Sequence, residues 1–532
     1  MTRLAGPRPA AFILALMAVL AGCTAADLPL VPTPEPTPEG PRELTISVVD
    51  RGTDAPIAGA SVKLSDGLRT ATDSEGNATL SVSRGSIVTV TAEGHDAADA
   101  EVPDEGPLQV ALRGNVLRGT VTDEDGEPLA DVRIFIDGSE DLVVSDESGR
   151  YVLPGVPDGG VAIFKRAGYR LGEIPVGDEM AMDVALERFE ARALYAPSGV
   201  FEAPGRLDEL LALVDATEVN ALVIDVKETD GMLYWATDLP SAVEVGAVRD
   251  TPILDLEELL PMLRERGVYT IARMVSMKDN TVTAARPELA VRNVSTGEPW
   301  RDNIGGAWLD PSAPGVAEYV AAIAADLADK GFDEVQLDYI RFYSDGPYAL
   351  ADTNLPNSQS FRLPAVQRLL RVVADALATK RAFLAADVFP ISFILSDDQG
   401  IGQRPEVIMP YVDYANPMAY PSHFGPGVFG LDVPNNFPYE VVDGTLEIMN
   451  EQAREWPVAL RPWIQDFGYG PFPPYSPEQV RAQMDAAEAR GAHGWMIWNP
   501  QSAFSEAALG QPRPGEDAGP VTSARPAPSA AP

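Results

Sequence analysis

The stretch EVQLDYIRFYSDG, residues 334–346, sets a carboxylate, a phenol and a guanidinium within four residues at the end of a short apolar run. Asp338 closes that run, with Tyr339 and Arg341 directly behind it. A second acid, Asp387, closes a similar run over 383–388. Two carboxyl groups on neighbouring elements can divide a reaction between them. One is ionised, to attack or to take a proton, and the other holds a proton for a leaving group. Arg341 is expected to keep Asp338 ionised. The apolar neighbours Ala386, Val388 and Phe389 are expected to keep a proton on Asp387. Asp225 and Asp230 are the reserve carboxyls. An Asp-Arg pair can also do no more than close a strand, so the reading depends on similar residues recurring at other strand ends.

They do recur. Eight short apolar runs, most without alternation, follow residue 193: 193–195, 221–226, 269–275, 335–339, 383–388, 414–420, 462–466 and 494–498. Runs of this kind read as parallel strands buried on both faces. Helical periodicity separates them over 207–214, 256–266, 316–330, 365–380, 442–455 and 477–490, and Gly267, Gly331 and Gly491 stand where three of these helices should stop. Eight strands alternating with helices predict a (β/α)₈ barrel, whose chemistry gathers at the C-terminal ends of its strands. A doubly wound open sheet is the alternative, but no glycine-rich phosphate loop follows the first strand. The barrel brings Asp225, Lys227, Asp230, Arg273, Trp308, Asp310, Tyr339, Arg341, Tyr420, His423, Trp463, Asp466, Trp495 and Trp498 to one mouth as candidate substrate-binding residues. Indole rings stack on the CH faces of sugars, while carboxylates and amides bond the hydroxyls. Strand-end aspartates also cap helices, and Asp225 or Asp466 could do that alone.

The blocks VIDVKETDG (223–231), WLDPS (308–312), FDEVQLDYIRF with the following SDG (332–346) and NPMAYPSH (416–423) resemble a family of glycoside hydrolases first described as a domain of unknown function. Tyr343 stands where that family usually has proline. The resemblance runs from about Ala193 to Ala508 and implies a glycosidase-like barrel.

Residues 1–22 read as a signal peptide, with Arg3 and Arg8 ahead of an apolar stretch too short to span a bilayer. Leu20-Ala21-Gly22-Cys23 resembles a bacterial lipobox, which implies lipidation of Cys23, the one cysteine of the chain, and an extracytoplasmic, membrane-anchored protein. A Pro-rich stalk follows (23–42). Two copies of one pattern occupy 43–114 and 115–190. Pro56 and Pro128 are 72 residues apart, and Gly76 and Gly149 are 73 apart. Short alternating strands between Asp/Gly turns predict two small β-sandwiches. The second copy resembles the carboxypeptidase regulatory-like domain, a module that in its relatives acts as a spacer or adhesion unit. The sandwiches are expected to be independent spacers, and their acidic turns to be ordinary turns, not calcium loops. The barrel is assigned to 191–509 and a disordered tail to 510–532.

With 79 acidic against 40 basic residues, the net charge of −39 argues against nucleic acid as a partner. All seven tryptophans lie beyond residue 200, in the barrel. His423 and His493 fall on separate elements, which argues against a metal-dependent hydrolase, and no cofactor is called for. No Gly-x-Ser-x-Gly elbow supports a serine hydrolase. Two readings remain: a glycoside hydrolase acting on a polysaccharide, and a catalytically silent barrel that binds envelope polysaccharide as a scaffold.

Overall fold

The computed structural model describes residues 40–512 and 525–526. The signal peptide, Cys23 and nearly all of the stalk lie outside these residues, as does the tail apart from 510–512 and Arg525–Pro526, the latter pairing with Val184 and Ala185. No helix among the described residues is long and apolar enough to cross a membrane.

The N-terminal repeat forms two β-sandwiches with the same topology. In each, the long first strand (Arg42–Asp50, then Val116–Asp123) runs parallel to the last (Leu108–Leu112, then Val184–Leu186) and antiparallel to the strand after the Asp/Gly turn. The alternating residues Leu44, Ile46 and Val48 fill the first core, and Leu117 and Val121 the second. The acidic turns are Asx turns: Asp73 Oδ1 accepts the backbone N–H of Glu75 and Asn77, and Asp146 Oδ1 those of Ser148 and Arg150. Gly149 has a φ of 74°, and a Cβ there would come within 2.3 Å of the Val121 carbonyl oxygen, so the turn requires glycine.

The rest of the chain is the (β/α)₈ barrel that the strand count predicts. Numbering the barrel strands alone, β1 is Ala191–Ala196, β2 Ala221–Lys227, β3 Tyr269–Val275, β4 Glu334–Asp338, β5 Phe383–Val388, β6 Tyr414–Pro417 and β8 Gly494–Trp498. Pro462, which has no N–H, interrupts β7 and leaves Ala459–Leu460 and Trp463–Gln465 as two pieces. The first piece pairs with β6 and the second with β8, all parallel, which closes the ring. The main helices are α1 Arg206–Ala216, α2 Leu256–Glu265, α3 Val316–Lys330, α4 Gln359–Leu377, α5 Pro438–Ala453 and α6 Pro477–Ala489. Gly331 ends α3 with a φ of 103°.

The two-residue period of each strand decides which side chains reach the lumen. Leu222, Ile224, Val335, Leu337, Trp495 and Ile497 face outward into the layer under the helices. Ala221, Val223, Tyr269, Ile271, Phe383, Ala385, Tyr414 and Met496 belong to the inner core. At its floor, buried Arg461 is ion-paired to Glu334, which also accepts a hydrogen bond from Tyr269 at 3.1 Å.

The second sandwich plugs that floor. Its Phe135, Ile163 and Leu171 share the barrel's inner core. Lys165 donates to the carbonyls of Leu377 (3.2 Å), Lys380 (3.0 Å) and Ala382 at the end of α4, and the Gly168 N–H donates to Tyr414 Oη (3.0 Å). Arg133 is paired with Asp413. Burial first, and then the charge of Arg133, push the Lys165 amine down to about 7, against the pull of Asp413. The expectation of two independent spacers therefore needs correcting: the second sandwich shares its core with the barrel. A crevice of about 960 Å³ opens beside this seam, at the end opposite the strand C-termini. Arg381 there is paired with Asp137 and Glu173, and Lys380 with Asp329.

Candidate functional site

Five side chains project inward at the level where the strands end. Asp225 of β2 lies opposite Arg273 of β3, and Leu337 of β4 pairs with Ala386 of β5, which sets Asp338 beside Asp387 one residue further on. Asn416 of β6 pairs with Asp387. Each follows a lumen-facing residue at a spacing of two, so alternation carries the apolar wall directly into a polar ring.

Arg273 is the hub of the ring. Its Nη1 donates to Asp225 Oδ1 at 2.5 Å and Glu228 Oε1 at 2.7 Å, and its Nη2 donates to Asp338 Oδ2 at 2.6 Å. The guanidinium lies 5.0 Å from the Trp498 ring, which stacks on Tyr195 at 3.9 Å. Three carboxylates hold its pKa well above the ordinary value despite burial. Asp225 also accepts a hydrogen bond from the Tyr195 hydroxyl. Burial raises its carboxyl to about 7 even against the nearby guanidinium.

Asp338 and Asp387 sit in contrasting environments. Asp338 receives the Arg273 guanidinium on one oxygen and the Tyr339 N–H, at 2.6 Å, on the other. Tyr339 has a φ of 55°, a left-handed conformation that costs about 1–3 kcal/mol for a bulky side chain and recurs where function requires it. Asp387 is 1 % exposed. Its Oδ1 accepts the Trp463 indole N–H at 2.8 Å and, more weakly, the Asn416 amide at 3.4 Å. Burial first, and then the charge of Asp338, push this carboxyl well above the carboxylate range. The pair thus comprises a carboxyl raised by burial beside one that is ion-paired to a cation.

Arg341, expected to hold Asp338 ionised, does not contact it through a hydrogen bond. It donates to the Phe342 carbonyl and Ser344 Oγ, and the rings of Trp308, Tyr339 and Phe389 cover it. The cation paired with Asp338 is Arg273. Several other candidates turn out to brace loops. Lys227 pairs with buried Asp279 at 2.8 Å and donates to the Val275 carbonyl. Asp230 pairs with Arg249. Asp310 accepts the N–H groups of Ser312 and Asn354, and Asp466 ties down Ser505. Trp308 is buried, with its indole N–H on Asp302. Trp495 faces the helix layer and not the lumen, because it is offset by one residue from Met496 and by three from Trp498, both odd steps along the strand.

An aromatic rim remains at the ends of β6 and β7. His423 stacks on exposed Tyr469 at 4.3 Å, and Tyr420 meets Phe467 edge to face at 5.6 Å. Tyr420 lies within electrostatic reach of both Asp387 and Asp338. Glu228 and Tyr195 were not among the sequence candidates. Tyr195 was legible, since it stands two residues after lumen-facing Ala193. Glu228 lies past the end of β2, where alternation no longer applies.

The family described as “Putative glycosyl hydrolase domain” matches residues 193–504, more than half of the chain, and the carboxypeptidase regulatory-like domain matches 116–187. Among solved structures, a hypothetical protein from Ruminiclostridium thermocellum is 31% identical, over 37% of this chain and 97% of its own, with a TM-score of 0.33. The glycoside hydrolase domain of PgaB from Bordetella bronchiseptica is 14% identical, over 60% of this chain and 99% of its own, with a TM-score of 0.45. The GH20 exo-β-N-acetylglucosaminidase of Vibrio harveyi is 10% identical, over 91% and 97%, with a TM-score of 0.38. No curated protein matches. The chain belongs to this glycosyl hydrolase family, and its barrel follows a carboxypeptidase regulatory-like domain.

Proposed function

We propose that this protein is a lipid-anchored, extracytoplasmic glycoside hydrolase that cleaves a polysaccharide with Asp338 and Asp387. The observation that carries the reading is two side-by-side carboxyl groups at the strand ends in contrasting surroundings, Asp338 ion-paired to Arg273 and Asp387 buried without a cation bonded to it. Both N–H donors of Asp387 fall on Oδ1, which leaves Oδ2 to carry the proton. In the proposed reaction that proton passes to the glycosidic oxygen as the bond to the anomeric carbon breaks and its electrons go to the leaving oxygen. The Asp338 carboxylate either attacks the anomeric carbon or takes a proton from the water that does. The Asn416 side-chain oxygen is buried without a partner among the described residues and can accept a substrate hydroxyl. The rings of His423 and Tyr469 offer a stacking surface at the rim. Anchoring is proposed from Cys23 and its lipobox.

The test is reducing-end release from a panel of polysaccharides by the wild type, Asp338→Asn and Asp387→Asn. Either substitution should lower kcat by about 10²–10⁴-fold while oligosaccharide binding survives. Activity carried by the Asp387 proton should fall as pH rises through its elevated pKa. Linkage also sets the sign for stability. A carboxyl with a raised pKa contributes most below its unfolded value of about 3.9, and that contribution is lost as pH climbs through the folded value. Asp387→Asn, which mimics the neutral acid, should therefore keep or raise Tm at pH 8. Near-normal turnover of Asp338→Asn on a confirmed substrate would refute the pair. A barrel that binds glycan but hydrolyses none of the panel would favour the silent scaffold.

A further inference from the structure

The polar ring contains more carboxyl groups than the proposed pair requires. Three carboxylates, Asp225, Glu228 and Asp338, share the single guanidinium of Arg273. Most other cations of β2 to β4 and their loops are ion-paired, and exposed Arg301 donates to Asn280 and to the Gly305 carbonyl. Lys227 is held by Asp279, Lys278 by Asp302 at 2.7 Å, and Arg249 by Asp230. Arg341 is enclosed by three rings and donates to its own loop. Within the ring the carboxylates differ in access. Asp225 and Asp338 have side-chain exposures of 3 % and 10 %, whereas the Glu228 side chain is 32 % exposed. Glu228 and Asp338 bind the same guanidinium, so their oxygens lie on the order of 7 Å apart, within the span of one sugar ring. The other Glu228 oxygen has only a long contact, at 3.3 Å, with the Thr229 N–H.

We propose that Glu228 contacts the substrate and sets a charge preference, so that the cleft takes glycans bearing free amino groups ahead of neutral ones and rejects those bearing uronate or sulfate. A cationic sugar at this point meets a carboxylate whose own counter-ion is shared three ways. An anionic sugar would be placed beside several carboxyl groups, with Arg273 already shared among three of them and Arg341 covered by rings and bonded to its own loop. The acidity of the whole chain works in the same direction at long range. The inference rests on the hydrolase reading of the same cleft and specifies its substrate class.

Calorimetric titration of the full chain with β-1,4-linked tetrasaccharides of glucosamine, glucose and glucuronate, at pH 6 and low salt, tests it. The glucosamine oligomer should bind about tenfold more tightly than the glucose one, and the glucuronate oligomer more weakly than either. Glu228→Gln should remove most of the first difference while leaving glucose-oligomer binding within about twofold, and Glu228→Asp should restore part of it. A residue that merely positions Arg273 would weaken all three oligomers together. Equal losses for all three ligands, an unchanged preference in Glu228→Gln, tight glucuronate binding, or binding of none overturns the proposal. Reducing-end release without any charge preference would sink this inference and leave the hydrolase reading intact. A Glu228-dependent preference without hydrolysis would do the reverse.

Discussion

Arg273 is the side chain on which the others in the ring depend. It is buried and ion-paired to Asp225, Glu228 and Asp338 at once. Removing one partner of a buried ion pair leaves an uncompensated charge and typically costs about 3–5 kcal/mol. Arg273→Met should lower unfolding stability by that order, measured by denaturant titration at pH 7. Adding Asp338→Asn to Arg273→Met should recover part of the loss, because a buried carboxylate that has lost its cation is then replaced by a neutral amide. If Arg273→Met unfolds like the wild type, Arg273 is not the hub. The Asp387 carboxyl is served differently, by hydrogen bonds from an indole and an amide and none from a cation, which is why burial wins there over the charge of Arg273 and raises its pKa.

At the scale of elements, each strand contributes through its period of two, and β4 shows how strict that is. Glu334 meets Arg461 at the floor, Gln336 lies against Met496 in the middle, and Asp338 reaches the ring at the top. The intervening Val335 and Leu337 pack outward. A slip of one residue would bury leucine in the site and turn the acid towards the helices. The seam with the second sandwich is an equally close fit. Gly168 has a φ of 81°, and a Cβ there would come within 2.6 Å of the His493 ring. Burial pushes that imidazole down to about 4, so it stays neutral in the seam. Gly168→Val should lower Tm by several degrees and open the seam to limited proteolysis. An unchanged Tm would show that the seam tolerates displacement.

At the scale of the molecule, the second sandwich completes the barrel floor, and the mouth opens at the far end of the same strands. The first sandwich has its own closed core and is joined to the second by contacts such as Arg113 with the carbonyls of Val156 and Pro157. This order fits a protein held by its N-terminus that reaches outward to a polymer. If Cys23 carries the lipid, Cys23→Ala should move the chain from the membrane fraction to the soluble fraction, since both acyl anchoring and its loss are large effects. Retention of the variant with membranes would remove the anchor from the proposal and leave the barrel chemistry untouched.

By itself the sequence determined the class of fold and the positions of the two acids. Local signals suffice for both, because buried parallel strands are continuous apolar runs and helices stop at glycine. Tyr269–Val275, Phe383–Val388 and Gly494–Trp498 coincide with the strands read from the sequence, as does α3 with its helix. The motif blocks also pointed to the glycosyl hydrolase family to which the chain belongs. The tertiary structure alone decided which charges meet. Arg341 is three residues from Asp338 in sequence, and Arg273 is 65 residues away, yet Arg273 holds the acid because β3 and β4 are neighbours in register. Trp495 and Trp498 are equally apolar in the sequence, but their side chains point to opposite faces of one strand. Closure by a β7 broken at Pro462, and the docking of a sandwich through Lys165, arise from pairings between distant segments that no local pattern encodes. Long-range register and burial, not residue type, separate the side chains that can touch a substrate from those that only brace a loop.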